Sequence, residues 1–214
     1  MSAIDHLRAV GSGETPDDDG LLGNARCSWG RGEFIGEEAI LAAFCARPFA
    51  DGDAVTVETA QGAALIGQDD ALIADIYAGR IGRLWRVGKG VTLPQEPAID
   101  IAFDPDMQQQ RGDVLFRPGD HPELCSATAN SVFEAARAHV DQVRRAGALR
   151  VRAFVIRAFG IGETSAALLA VYAMGNETNR TAGFSYAILG VNADGSPARI
   201  VSEQARPRLW TPRF

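Results

Sequence analysis

Asp75 and Tyr77 stand two residues apart in the run ALIADIYAG, which reads as a strand over residues 71–77, so their side chains and that of Ile73 fall on one face. A carboxylate and a phenol placed together can share proton-transfer work. For Asp75 to act as a general base near neutrality, burial among Ile73, Tyr77 and Trp85 must disfavour its charged form and raise its pKa. The plain alternative is an exposed aspartate beside a half-buried tyrosine on the outer face of a sheet. In the C-terminal half, Arg157, Tyr172, Tyr186 and Glu203 interrupt apolar strands. Arg157 and Glu203 could recognise an acidic substrate or activate a water; the structural alternative is a cross-strand ion pair. Trp29, Phe44 and Trp85 read as pocket wall or core rather than as reactive groups.

Other chemistries lack their residues. Cys27, Cys45 and Cys125 are odd in number and widely spaced, and His6, His121 and His139 have no ligand spacing, so neither a disulfide framework nor a metal site is expected. The Cys residues read as small buried hydrophobes, and no Ser or Cys nucleophile has a base nearby in the pattern. The stretch GRLWRVGKG has five residues between Gly82 and Gly88 where a phosphate-binding loop needs four, and FGIGETS links two strands. No nucleotide or other cofactor is implied. The acidic triplet Asp17, Asp18 and Asp19 reads as a solvated turn, because calcium loops need alternating ligands.

Composition narrows the partners. The 214 residues carry a net charge of −6, with 8 basic and 18 acidic groups in residues 1–110 and 13 and 9 in residues 111–214. Opposite signs favour docking of the halves on each other. Lys89 is the only lysine, and arginine pairs well at interfaces. No basic stripe with interleaved aromatics suggests nucleic acid, and no apolar run reaches the ~18 residues of a membrane span. The expectation is a soluble cytoplasmic protein whose partner is a small apolar or acidic ligand.

The elements that must position these residues follow from periodicity. A short helix is expected near Ala3 to Val10, an irregular strand in RCSWGRGEF, and a helix over residues 36–47, where Ile40, Leu41 and Phe44 share a face before Pro48. Short strands follow at 54–60, 63–67, 71–77 and 81–87. Residues 88–122 are rich in Pro, Gly and Asp and read as a connector with short strands at 99–103 and 114–116. A long helix is expected from His121-Pro122 to about Arg145, then strands at 149–159, 165–174, 182–191 and 198–205, the last two joined by the hairpin signal in NADG. Each half thus reads as a helix followed by an antiparallel meander. The repeated RLW at residues 83–85 and 208–210 is out of register with the turns and reads as coincidence.

The run WGRGEFIGEEAILAAF (Trp29 to Phe44) followed by ADIYAGRIGRLWRV, and in the second half ETSAALLAVYAM with TAGFSYAILGVNADGSPARIVSEQARP, resembles the nuclear transport factor 2-like superfamily. The SnoaL-like polyketide cyclase and ketosteroid isomerase branches are the nearest in pattern. The resemblance covers about 160 residues by this coarse reading and implies an α+β fold. It implies two cone-like units, each a helix packed on a curved antiparallel sheet (a cystatin-like roll), arranged as a pseudodimer. Residues 1–90 form the first unit, with truncated N-terminal helices, 91–120 the linker and 121–214 the second, as a monomeric pseudodimer or a homodimer. By residue type alone, Asp75 and Tyr77 compare with the base and oxyanion donor of ketosteroid isomerases. Trp29, Phe44, Trp85, Tyr172 and Tyr186 would line a pocket. The implied function is small-molecule binding or cofactor-independent isomerase, cyclase or hydratase chemistry. A non-catalytic interaction or structural module with a vestigial pocket is the alternative function, and a double hot-dog is the rival fold.

Overall fold

The computed structural model describes residues 2–16, 20–29, 32–50, 52–88, 109–111, 114–116, 126–146, 148, 150–161, 164–174, 181–194, 196–202 and 208–209. The first helix, α1 (Ala3–Ser12), begins at a capping box in which Asp5 N donates to Ser2 Oγ and Ser2 N to Asp5 Oδ2. It ends at Gly13, whose φ of 81° suits glycine, and a Cβ there would also strike the backbone of Cys45. Then come β1 (Leu21–Trp29), β2 (Gly32–Ile35), α2 (Glu37–Ala46), β3 (Val55–Glu58), β4 (Gly62–Ile66), β5 (Asp70–Tyr77) and β6 (Arg80–Gly88). They form a first sheet in the order β2-β1-β6-β5-β4-β3. The second sheet, ordered β7-β8-β9-β10-β11-β12, contains β7 (Gln109–Arg111), β8 (Val114–Phe116), β9 (Arg150–Ile161), β10 (Thr164–Met174), β11 (Thr181–Asn192) and β12 (Pro197–Ser202). Between β8 and β9 lies α3 (Ser126–Arg145), and β13 (Arg208–Leu209) pairs with β11.

The fold is therefore α+β, with three helices and two mainly antiparallel sheets among the described residues. The two four-stranded meanders expected from the turn signals are present as β3–β6 and β9–β12. Purely antiparallel sheets were expected, but β1 runs parallel to β6 and β8 parallel to β9. In both cases a helix lies on the connection between the parallel strands, as parallel pairing requires. The repeat of element order stops there. The β1–β2 hairpin joins the last strand of its meander, whereas β7–β8 joins the first strand of the other. In the NADG turn, Asp194 accepts from the Ser196 amide at 2.8 Å and Asn192 N donates to Ser196 O at 2.9 Å. Several expected features lie outside the described residues: the 17–19 turn, the 99–103 strand, the His121-Pro122 helix start, Glu203, and most of the 88–122 connector.

Alternation along the strands sorts the core into three layers. Leu65, Leu72, Ala74 and Leu84 of the first sheet pack against Leu7 and Val10 of α1 and Ile40 and Phe44 of α2. Ala167, Leu169, Ala187 and Leu189 of the second sheet pack with Val132, Ala136 and Val140 of α3. The remaining faces meet each other: Val57, Ala64, Ile66, Ile73, Trp85 and Val87 against Phe159, Ala166, Leu168, Ile188 and Val201. Both faces of each sheet are thus buried, which explains why β4 and β10 read as nearly unbroken apolar runs instead of alternating ones.

One contact in this seam depends on the absence of a side chain. A Cβ on Gly62 would lie 2.5 Å from the ring of Phe159, which is itself fully buried. Substituting Gly62→Ala should therefore lower stability by about 1–3 kcal/mol through overpacking, measurable by urea denaturation. A loss below ~0.5 kcal/mol would mean that the ring is not seated there.

Candidate functional site

Phe159 and Arg157 are two apart on β9 and point to the same face. Gly62 and Asp75 are register partners on β4 and β5. The ring that fills the space over Gly62 therefore brings the guanidinium of Arg157 to Asp75, with Nε 2.9 Å from Oδ1. Asp75 is only 5% exposed, and the Tyr77 hydroxyl donates to its Oδ2 at 3.4 Å. Burial is the dominant influence on the carboxyl and pushes its pKa above the ordinary 3.8; Arg157, Arg83 and Tyr77 pull the other way. Tyr77 is 51% exposed, its ring lying over Gly82, where a Cβ would come within 2.5 Å of it.

The sequence pattern offered an outer-face arrangement with Asp75 exposed and Tyr77 half-buried. The structure instead buries Asp75, because the face in question abuts a second sheet and not water, while Tyr77 remains 51% exposed. Arg157 finds its partner in the other half of the chain, in Asp75, and the side chain of its expected alternative, Glu203, lies outside the described residues. A second bridge, between Arg199 Nη2 and Asp53 Oδ2 at 3.3 Å, also crosses the seam, and Arg199 Nη1 donates to Asp53 O and Ile66 O.

The residues expected to line one pocket are divided between two faces. Trp85 and the half-buried Tyr186 belong to the inter-sheet layer, where Arg83 sits 4.6 Å over the Trp85 ring. Trp29 and Phe44 lie on the helix-covered side of the first sheet, stacked at 5.2 Å, with Phe34 6.0 Å from Trp29. The cause is the period of two: Trp85 follows Leu84, so the two must point oppositely. Tyr172 is placed on β10, in register with Arg152 and Phe184.

One polar group on the helix-covered side went unnoticed in the sequence. Arg86 is 3% exposed and lies 4.0 Å from the Trp29 ring and 5.0 Å from that of Phe44. Its Nε donates to Asp70 Oδ2 at 2.8 Å, one Nη bonds Arg47 O, and the other bonds Asp70 and, at 3.0 Å, Pro48 O. This guanidinium holds the chain leaving α2 against the sheet. The available signal was an arginine at an inward position of a buried strand, diagonal to an aspartate beside Gly88. Nearby Cys27 is buried, and loss of hydration pushes its thiol up to about 12, so it remains protonated and unreactive at neutral pH.

Among the described residues, no three His, Cys, Asp or Glu side chains gather where they could hold a metal ion, and no helix is long and apolar enough to cross a membrane. Comparison with protein-family models finds none that matches this chain, and comparison with curated proteins finds no match either.

Proposed function

We propose that the chain is a non-catalytic binding or interaction module, composed of two cone-like units of the nuclear transport factor 2-like kind fused through their sheets as a pseudodimer. The observation that carries this reading is the Asp75–Arg157 ion pair. The Asp75 carboxylate, which with the Tyr77 phenol could serve proton transfer, faces the opposing sheet, away from the helix-covered face, and its charge is engaged by a residue of the other half. Support also comes from Arg86, whose donors are taken up by Asp70 Oδ2 and the loop carbonyls, leaving Trp29, Phe34 and Phe44 as a mainly apolar wall.

A second reading, an isomerase with Asp75 as base, is favoured by one fact: burial raises this carboxyl, the direction a general base requires, with a phenol 3.4 Å away. Cyclic β,γ-unsaturated ketones distinguish the two, since their conversion to conjugated enones is followed by ultraviolet absorbance. The expected result at pH 7 is no rate above buffer. Turnover by the wild-type chain that disappears in a folded Asp75→Asn variant would overturn the non-catalytic reading and establish the other.

A further inference from the structure

His139 lies on the buried side of α3 at 4% exposure, and neither ring nitrogen has a hydrogen-bond partner. A buried imidazole in that condition tolerates neutrality better than charge, since burial penalises the full charge more than the neighbouring Gln142 side chain favours it. Among the described residues, the strands beneath α3 offer no titrating partner. The strands packed against α3 present Val114 from β8, Val151, Ala153, Val155 and Ala158 from β9, Ala167, Leu169 and Val171 from β10, and Ala187, Leu189 and Val191 from β11. None of these titrates. On the helix itself, positions three and four residues away are Ala135, Ala136, Gln142 and Val143, while Glu134, Arg137 and Asp141 are exposed to water.

We propose that His139 is an acid-sensitive latch: its protonation releases α3 from the second sheet and uncovers the apolar face beneath, while the inter-sheet seam stays closed. The sign follows from burial, which holds the docked imidazole below its ordinary 6.5; the weaker pull of Gln142 is upward. Docking is fully favourable above pH 6.5 and weakens as pH falls from 6.5 towards the depressed value, by at most about tenfold per pH unit in the docking equilibrium. On the first sheet, α1 carries His6, which is 9% exposed with its Nδ1 unpartnered, so it is the His139→Leu comparison that assigns a response of α3 to His139.

Hydrogen exchange measured by mass spectrometry on the full chain at pH 7.5 and 5.0, corrected for intrinsic exchange rates, tests the latch. The expected result is loss of protection in α3 at pH 5.0, about tenfold or more, with β4 and β5 unchanged, and no such loss in His139→Leu. An α3 response that persists in His139→Leu, or wild-type protection that does not differ between the two pH values, would overturn it. Should His139→Leu fail to fold, the imidazole resonances of wild-type His139 decide: titration below 6.5 accompanied by spectral change along α3 supports the latch, and titration at or above 6.5 refutes it.

Discussion

Replacing Arg86 with methionine should remove about 3–5 kcal/mol of stability, because it leaves the largely buried Asp70 carboxylate without its cation. Methionine keeps much of the apolar packing on Trp29 and Phe44, so the loss reports the guanidinium's polar bonds more than its volume. The carbonyls of Arg47 and Pro48 lose their donors as well. Arg86→Lys should recover less than half of the loss, since an ammonium cannot span Asp70 and two carbonyls from one planar fork. Losses of this size are a large part of the total stability of a typical domain. Chemical denaturation of both variants checks the expectation, and a loss below ~1 kcal/mol for methionine would mean that the clamp contributes little.

Arg157→Met should cost less, about 2–3 kcal/mol at pH 7, because the Arg157 side chain is 30% exposed and water already screens part of its interaction. The reciprocal change is not equivalent. Asp75→Asn removes the charge whose burial is costly and leaves Arg157 able to turn towards water, so it should alter stability by no more than ~0.5 kcal/mol. The pH dependence has a definite sign. Asp75 titrates above its unfolded value of 3.8, so its ionisation opposes folding, and that opposition is absent below 3.8 and grows as pH rises through the folded pKa. Without Arg157 the folded pKa rises further. The penalty of Arg157→Met should therefore be largest at neutral pH and shrink towards pH 4.

The strands, the turns and the helix at α2 were legible because each obeys a local rule: a period of two or near four, bounded by Gly, Pro or Asp. The parallel pairings were not, since no local pattern states which edge of a meander a hairpin will join. Asp75 shows the same limit at the site. Its position beside Ile73 fixed the face it shares, but whether that face meets water, a helix or another sheet is decided by residues more than eighty positions away, Arg157 and Phe159. Continuous apolar runs such as GAALI and ALLAV carried the needed information, because strands buried on both sides cannot alternate. Arg86 was hidden for a related reason: an arginine in a strand is ordinarily a surface residue, and only its partners identify it as a clamp.

A double-mutant cycle on Asp75 and Arg157, measured by urea denaturation at pH 7, tests most directly the claim that these residues join the two sheets. The expected result is a coupling of at least about 1 kcal/mol, with Asp75→Asn combined with Arg157→Met more stable than Arg157→Met alone. Energies for the two single variants that add within ~0.3 kcal/mol in the double would contradict it, and with it the assignment of Asp75 to the seam.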